Sequence, residues 1–369
     1  MNPIDITFED YIRDIKNGSR GSTYYQKILR TGGGSTTPVT VNVQRLMSET
    51  WGLARPAYRA LLLHGISDEM FEAYKGFIRA NGRDERTAKR KVRAFKKLVK
   101  YVEDDGIEAI VNGIPYPIEI WVNQEGKVRL VEGGHRLALM SYFGVREAQA
   151  IVMARHPKFL AFYDGLVGRY EKNPTFSYHP IDHVDFQGWE FGRDRQYLHR
   201  IATLLRPGST VLDVGSNMGY MSTLAWKRGC VVDSVEASAR WVKDQKFLRR
   251  MYDADYNLIH GDATTTKKLK SHYDTVLVLS VIHHLMKKGP KPVVEFMEAF
   301  APMTNNMMID FGGGNHFTPS ELLTVITEQT PFRFAFKTDL ECSRNKRHLY
   351  ILCTKDARKN PICYFDPRI

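Results

Sequence analysis

The sequence is poor in cysteine, lacks long apolar runs and begins without the features of an export signal. Its 369 residues include four cysteines, none of them in a C-x-x-C pair, which argues against a zinc site or a disulfide framework. No apolar run approaches the roughly 18 residues that span a membrane. The acidic stretch 1–10 is not a basic segment followed by an apolar core. We expect a cytoplasmic protein with reduced thiols, no bound metal and no membrane span.

Basic residues outnumber acidic ones, and the formal net charge is +12. Such an excess favours anionic partners such as nucleic acids, nucleotides or phosphorylated sugars, although it also serves solubility alone. Much of it lies around a predicted helix, 84–102, whose apolar residues Ala88, Phe95 and Val99 recur at helical spacing. The basic residues of this region form either an anion-binding face or a solvated face. They are Arg83, Arg86, Lys89, Arg90, Lys91, Arg93, Lys96, Lys97 and Lys100.

Changes in composition divide the chain into five segments. Glycine, serine and threonine dominate 31–38, which is typical of a linker. A loop at 178–192 combines polar and aromatic residues, as a lid over a small-molecule pocket would. Its His179, Asp182, His183 and Asp185 resemble a loose metal cluster, but their spacing fits a capping loop better. The predicted segments are an N-terminal extension at 1–40, a first domain at 41–155, a connector and lid at 156–195, an α/β domain at 196–355 and a C-terminal tail at 356–369.

The first domain contains a strand, a glycine turn and a helix in succession. The alternating stretches 117–122 and 127–131 predict a hairpin. The residues Glu132, Gly133, Gly134, His135 and Arg136 then lead into an apolar-periodic helix. His135 and Arg136 fall in the first turn of that helix, where the helix dipole and free N–H groups favour an anion.

The segment EGGHRLALMSYFG resembles the G-x-H-R helix start of the ParB/sulfiredoxin-like nucleotide-binding fold, and the resemblance extends over 109–154. It implies a small α+β domain that binds ATP or CTP with Mg²⁺ and that, in some members, transfers or hydrolyses phosphate. Gly134, His135 and Arg136 would then contact phosphate, and Glu132 would lie near the metal or the reacting centre. Alternatively, the domain keeps the fold for substrate recognition or structural support without catalysis.

From about residue 196 the sequence alternates between helical and strand patterns, as in an open parallel sheet with helices on both faces. The first strand leads into Asp213, Gly215 and Gly219, and a helix follows. In that order, glycines bring bare backbone N–H groups and a helix N-terminus up to a ligand. The spacing D-x-G-x-x-x-G matches neither a dinucleotide fingerprint nor a phosphate loop. The predicted strands are 210–214, 230–235, 257–260, 275–279 and 307–309, with a late antiparallel hairpin of 332–336 and 348–353.

Three further signals follow the first strand in order. Glu236 lies 23 positions after Asp213 at the end of the second strand, Asp262 follows the third, and Ser280 lies in the fourth segment, YDTVLVLSVIHHL. Together they resemble the class I S-adenosylmethionine (SAM)-dependent methyltransferases. The resemblance implies a Rossmann-like seven-stranded sheet, with Glu236 accepting the ribose hydroxyls and Asp262 the adenine amino group. The predicted cofactor-binding residues are Asp213, Gly215, Ser216, Gly219, Glu236, Asp262, Ala263 and Ser280.

Methyl transfer from a sulfonium is an in-line displacement that needs a base only when the acceptor is a hydroxyl or a protonated amine. His283 and His284 follow the fourth strand, and Asp310 ends the fifth. Ligands bind at that edge in such sheets, so these three residues are the candidate catalytic bases. The alternative is that one histidine bonds the backbone and the other lines the pocket.

The S-V-I-H-H-L segment and the preceding domain look like methyltransferases of surface-polysaccharide pathways, some of which are paired with kinases. This resemblance implies a small-molecule or carbohydrate acceptor, methylated at oxygen, and a bifunctional version with a kinase or nucleotide-binding first domain. The alternative is a tRNA or DNA methyltransferase that uses the basic first domain for binding.

Two absences bear on that alternative. Neither an N-P-P-[YF] tetrad nor a cysteine follows the fourth strand, which disfavours the usual chemistries on DNA bases, so nucleic acid is considered but not favoured. A third hypothesis, a nucleotide-gated binding protein with a vestigial methyltransferase, is disfavoured by the complete set of cofactor-binding residues. The sequence leaves the oligomeric state open.

Overall fold

A computed structural model describes residues 38–49, 54–111, 118–170, 173–304, 306–311, 318–342 and 346–354. They form two compact units. The first comprises the described residues up to Gly165 together with His183–Gln187, and the second comprises Leu166–Asp182 and the described residues from Gly188 onward. The predicted connector at 156–195 is thus divided between the units. The predicted C-terminal tail, Cys363 and all but three residues of the predicted extension lie outside the described residues.

The first unit contains a four-stranded mixed sheet in the order β1-β4-β2-β3. Strands β2 and β3 form the predicted antiparallel hairpin, whereas β4 pairs parallel with β2 and was not predicted. The strands are β1 Val39–Asn42, β2 Ile118–Val122, β3 Val128–Glu132 and β4 Glu147–Arg155. The helices are α1 Val43–Glu49, α2 Ala54–His64, α3 Asp68–Ala80, α4 Glu85–Asp105, α5 Glu108–Val111, α6 Gly134–Tyr142 and α7 Pro157–Val167, whose last two residues belong to the second unit.

The basic helix α4 forms as predicted and extends three residues further than expected. Asp84 caps its first turn by accepting the Thr87 N–H at 2.6 Å, and Gly106, with φ of 82°, ends it. The apolar stripe, including Phe95 and Val99, is buried. All but one of the nine basic residues are exposed, and Lys96 pairs with Asp68 at 3.0 Å. This arrangement favours the solvated-face interpretation over a built anion site.

The second unit is built on a seven-stranded sheet in the order β12-β13-β11-β10-β7-β8-β9. The five strands β11, β10, β7, β8 and β9 are parallel to one another. Strand β13 pairs antiparallel with both β11 and β12. The predicted α/β class with seven strands is therefore confirmed. The sheet strands are β7 Thr210–Val214, β8 Val231–Glu236, β9 Asn257–His260, β10 Thr275–Val278, β11 Asn306–Asp310, β12 Phe334–Cys342 and β13 Arg347–Cys353, and a separate two-stranded sheet pairs β5 Phe176–Ser177 with β6 Glu190–Phe191.

Helices cover both faces of this sheet. Along β7, Val211 joins one buried apolar cluster and Leu212 and Val214 join the other, which explains why the strand is a continuous apolar run. Helices α11, α12 and α13 were not predicted. The helices are α8 Arg195–Thr203, α9 Tyr220–Lys227, α10 Ala239–Met251, α11 Ile282–Met286, α12 Lys291–Phe300 and α13 Pro319–Gln329.

Two absences concern only the part of the chain that the structure describes. None of its helices combines the length and the apolarity that crossing a membrane requires. Its three cysteines, Cys230, Cys342 and Cys353, are buried, and none of them forms a disulfide with another described residue.

Candidate functional site

The turn between β7 and α9 requires glycine at both predicted positions. Gly215 and Gly219 have φ of 69° and 75°, which other residues rarely adopt. A Cβ on Gly215 would lie 2.7 Å from Val281 Cγ2, and one on Gly219 would lie 2.5 Å from the Tyr256 hydroxyl. Both contacts are closer than atoms tolerate, so the sequence pattern reflects a steric need as well as a conformational one.

The N–H groups of this turn are not bare, contrary to the prediction. Gly215 and Ser216 donate to the Val235 carbonyl at 2.9 and 3.1 Å, and Gly219 donates to the Ser216 carbonyl. The Asn217 N–H donates to Glu236 Oε2 at 2.8 Å. The turn is therefore fixed onto the end of β8, and ligand-facing backbone donors are expected at the first turn of α9, where a helix leaves its N–H groups without intrahelical partners.

Glu236 ends β8 beside this turn, with 8% of its surface exposed. Besides the bond from Asn217, its Oε1 accepts the Ser238 N–H at 2.8 Å. A carboxylate oxygen can accept more than one hydrogen bond, so each of the two can accept a further one. The predicted acid is thus held in one orientation by the backbone of two separate loops.

Asp213 and Ser216 point into the protein. Asp213 is 3% exposed, and Ser222 Oγ of α9 donates to its Oδ2 at 2.5 Å. Burial raises the pKa of Asp213 to about 6; the Ser222 hydrogen bond opposes this and the charge of Glu236 adds to it. Ser216 Oγ donates to Gln245 Oε1 at 3.1 Å. These side chains position the turn, and Gln245 and Ser222 are site residues that the sequence did not reveal.

Asp262 and Ala263 follow β9. The Gly261 N–H donates to the Glu236 carbonyl at 3.0 Å, which joins this loop to the end of β8. Asp262 is exposed, and its Oδ1 accepts both the N–H and the hydroxyl of Thr264, at 2.8 and 2.6 Å. The hydroxyl bond, followed by the backbone bond, lowers the pKa of Asp262. Its carboxylate is therefore oriented by the chain before any ligand arrives.

A second polar group lies where β10 and β11 end. Ser280, with φ of 60°, donates its N–H to Asp310 Oδ1 at 2.5 Å. Arg193 pairs with Asp310 Oδ2 at 3.0 Å, and both side chains are almost fully buried. Arg193 and Arg347 each donate to the Ser280 hydroxyl. The structure therefore joins two predicted residues, Ser280 and Asp310, to two arginines that were not predicted.

The candidate bases differ in their surroundings. His283 and His284 lie on α11 with ring centres 3.9 Å apart. Burial, followed by the charges of His284 and Arg347, lowers the pKa of His283 to about 4. Within the described residues, His283 Nδ1 is buried and has no hydrogen-bond partner. His284 is exposed. His283 therefore has a free buried nitrogen, whereas both oxygens of Asp310 are engaged by protein groups.

The histidines and acids of the 178–192 loop are divided between the two units. His183 and Asp185 belong to the first unit, and His179 and Asp182 belong to the second. Asp185 pairs with Arg155, and Asp182 pairs with Arg195 at 3.0 Å. Each acid thus has its own cation, as the capping-loop interpretation expects.

In the first unit, the glycine turn before α6 is also tightly built. Gly133, with φ of 99°, is the N-cap residue, and a Cβ on Gly134 would lie 3.3 Å from the Ala54 nitrogen. His135 Nε2 lies 2.6 Å from the Tyr74 hydroxyl, and its ring stacks on Phe95 at 4.8 Å. This geometry engages His135 in aromatic contacts, so its predicted contact with phosphate stays a prediction.

Two carboxylates flank that turn. Glu132 is opposite Glu119 in the β2–β3 register, where the register shifts. Burial, followed by the charge of Glu132, raises the pKa of Glu119 to about 8, and Arg136 opposes the shift. Glu119 was not predicted, because one glutamate in an apolar strand carries no sequence signal of its own.

No protein-family model and no curated protein matches the chain. Solved structures that resemble it include SAM-dependent methyltransferases. A TehB-like SAM-dependent methyltransferase from Corynebacterium glutamicum is 15% identical, with 53% of this chain and 100% of that chain covered and a TM-score of 0.37. WbdD, a bifunctional kinase-methyltransferase, is 20% identical over 52% of this chain and 47% of its own, with a TM-score of 0.41.

A third solved structure is magnesium protoporphyrin IX methyltransferase (ChlM) from Synechocystis with bound SAM. It is 16% identical over 43% of this chain and 74% of its own, with a TM-score of 0.35. The chain thus spans about half the length of WbdD and most or all of the other two. The likeness is one of fold, and the ligand has to be inferred from the side chains of the site.

Proposed function

We propose that this chain is a SAM-dependent methyltransferase whose donor site lies at the ends of β7, β8 and β9. The observation that carries the proposal is Glu236, whose carboxylate is fixed by two backbone N–H groups beside a turn that admits only glycine at 215 and 219. A fixed carboxylate suits the two hydroxyls of a ribose. Asp262 would accept the adenine amino group, with Ala263 beside it.

The remaining predicted cofactor residues have supporting roles in this proposal. When bound, SAM supplies an activated methyl group, and the chain has to hold it in line with the acceptor. Asp213 ties β7 to α9 through Ser222, and Ser216 ties the turn to α10 through Gln245. The two glycines let the donor approach the backbone.

We place the acceptor beside Ser280 and His283 and propose methylation at oxygen. The acceptor is a small molecule or a glycan. A neutral imidazole with a free buried nitrogen can take the proton of a hydroxyl as that oxygen is methylated. In this scheme His283 is the base, Asp310 holds Arg193 and Ser280 in place, and the exposed His284 borders the site.

The test is transfer of label from methyl-labelled SAM by the full chain into a cell extract that is then separated into small molecules, glycans and nucleic acids. Label is expected in the small-molecule or glycan fraction. His283→Gln should lower the rate by about 10²- to 10⁴-fold, whereas the exposed control His272→Gln should not change it. Label in RNA or DNA would favour the nucleic-acid alternative, and no label in any fraction would contradict the proposal.

We also propose that the first unit binds ATP or CTP with Mg²⁺ at the start of α6. The support is a nine-residue helix that follows Gly133 and whose first turn carries Gly134 and Arg136, next to Glu132. A nucleotide at ten times its Kd should stabilise this unit by about 1.4 kcal/mol. Thermal unfolding with and without ATP or CTP measures this. Arg136→Gln should lose the shift and the exposed control Arg146→Gln should keep it; equal shifts in both would reject the site.

A further inference from the structure

Two arginines meet at Ser280 where β10 and β11 end, and one of them has a carboxylate partner. The carboxylate of Asp310 is fully buried and pairs with Arg193. Arg347 bonds instead to the neutral hydroxyl of Ser280. Among the described residues Arg347 has no ion-pair partner, and its buried Nε has no hydrogen-bond partner. The charges of Arg347 and Lys287 both lower the pKa of His283. Asp310 is thus paired with Arg193, whereas Arg347 has no carboxylate partner among the described residues.

Ser280 holds the two arginines in place. Its hydroxyl oxygen accepts one N–H from each guanidinium, and its own backbone is fixed by Asp310. A guanidinium has five N–H donors in a planar fork. Arg347 is therefore anchored through Nη1, and its buried Nε still lacks a hydrogen-bond partner among the described residues.

Partly buried positive charge without a counter-ion is costly, and an anion with two or more oxygens relieves that cost. We propose that the methyl acceptor carries a phosphate or carboxylate group and that Arg347 binds this group beside His283. The proposal rests on the proposed function, because it assigns a substrate class to the same site. Bidentate pairing with such oxygens is what an arginine provides and a lysine does not.

An anion bound to Arg347 also raises the pKa of His283, the proposed base. The charged and titratable groups that face His283 are His284 and Lys287 from its own segment, Arg347 from β13 and Asp310 from β11. An anion on Arg347 offsets one of the cations that disfavour protonation. The imidazole then becomes a stronger base when the acceptor is in place. As the acceptor oxygen bonds to the methyl carbon and the donor C–S bond breaks, the hydroxyl proton passes to His283 Nδ1 and S-adenosylhomocysteine (SAH) leaves.

The experiment titrates the full chain, saturated with SAH, with inorganic phosphate and separately with acetate. Wild type should bind one of them about 10-fold or more tightly than Arg347→Gln does, as expected for a charged hydrogen bond. The exposed control Arg333→Gln should bind as wild type does. Tighter phosphate binding indicates a phosphorylated acceptor and tighter acetate binding a carboxylated one. Equal affinities in wild type and Arg347→Gln, or no binding of either anion, would overturn the proposal.

A second measurement distinguishes the loss of anion binding from a general loss of the fold. Histidine NMR of wild type should show the pKa of His283 rising when the tighter anion is added. Arg347→Lys keeps the charge and the fold but loses the fork, so it should bind the anion more weakly than wild type and still show a rise. SAH binding measured in the same samples distinguishes the two failures: SAH bound without anion binding overturns the acceptor class alone, whereas no SAH binding overturns the proposed function.

Discussion

Replacing Glu236 by glutamine is expected to weaken SAH binding by about 100-fold or more. The carboxylate accepts from Asn217 and Ser238 and, in the proposed function, from two ribose hydroxyls. Hydrogen bonds to a charged group contribute about 1.5–3 kcal/mol each. An amide in the same place has one acceptor oxygen, and its NH₂ would face a backbone N–H. Calorimetric titration with SAH measures the loss.

Two controls keep this result specific. Glu298→Gln removes an exposed glutamate of α12 in the same unit and should leave the affinity unchanged. Far-UV circular dichroism and thermal unfolding of Glu236→Gln show whether the β7–α9 turn still folds. A folded Glu236→Gln chain with wild-type affinity would mean that Glu236 does not contact the donor.

Arg193→Met is expected to lower the free energy of unfolding of the second unit by about 3–5 kcal/mol. The substitution leaves the Asp310 carboxylate fully buried without its cation, and an uncompensated buried charge costs about that much. Because a chain with two compact units need not unfold in a single two-state transition, urea unfolding should be followed by hydrogen exchange of the β7, β10 and β11 amides.

The matched control is Arg200→Met, which breaks the Arg200–Asp339 pair at 3.4 Å. Those side chains are 54% and 68% exposed, and such pairs contribute at most about 1 kcal/mol. The double variant Arg193→Met with Asp310→Leu removes both charges and should recover part of the loss. If Arg193→Met and Arg200→Met lower the free energy of unfolding by the same amount, the buried Arg193–Asp310 pair does not stabilise this unit more than an exposed pair does.

The parallel strands were predictable because their residues are buried on both faces. Val211, Leu212 and Val214 face two clusters, so β7 appears in the sequence as an unbroken apolar run. The acids at the strand ends follow from the same pattern, because side chains at the carboxyl ends of adjacent strands share one edge. Helix α13 offered a signal that was missed: Thr318 and Glu321 form a capping box at its start.

The polar contacts of the site were not predictable from local pattern. Arg193 and Arg347 reach Ser280 across 87 and 67 residues of sequence, and no periodicity encodes that convergence. Gln245 lies on the buried face of α10, where its bond to Ser216 is visible only once the helix is placed. The ring contacts of His135 with Tyr74 and Phe95 were likewise not visible in its motif.

The measurement that tests the central claim most directly is calorimetric titration of the full wild-type chain with SAH, in parallel with Glu236→Gln. The proposed donor site predicts one SAH bound per chain, with binding lost or weakened about 100-fold in the variant. A wild-type chain that is folded and gives no binding heat, or that binds SAH as tightly without the Glu236 carboxylate, would contradict the assignment of the β7–β9 edge as a methyl-donor site.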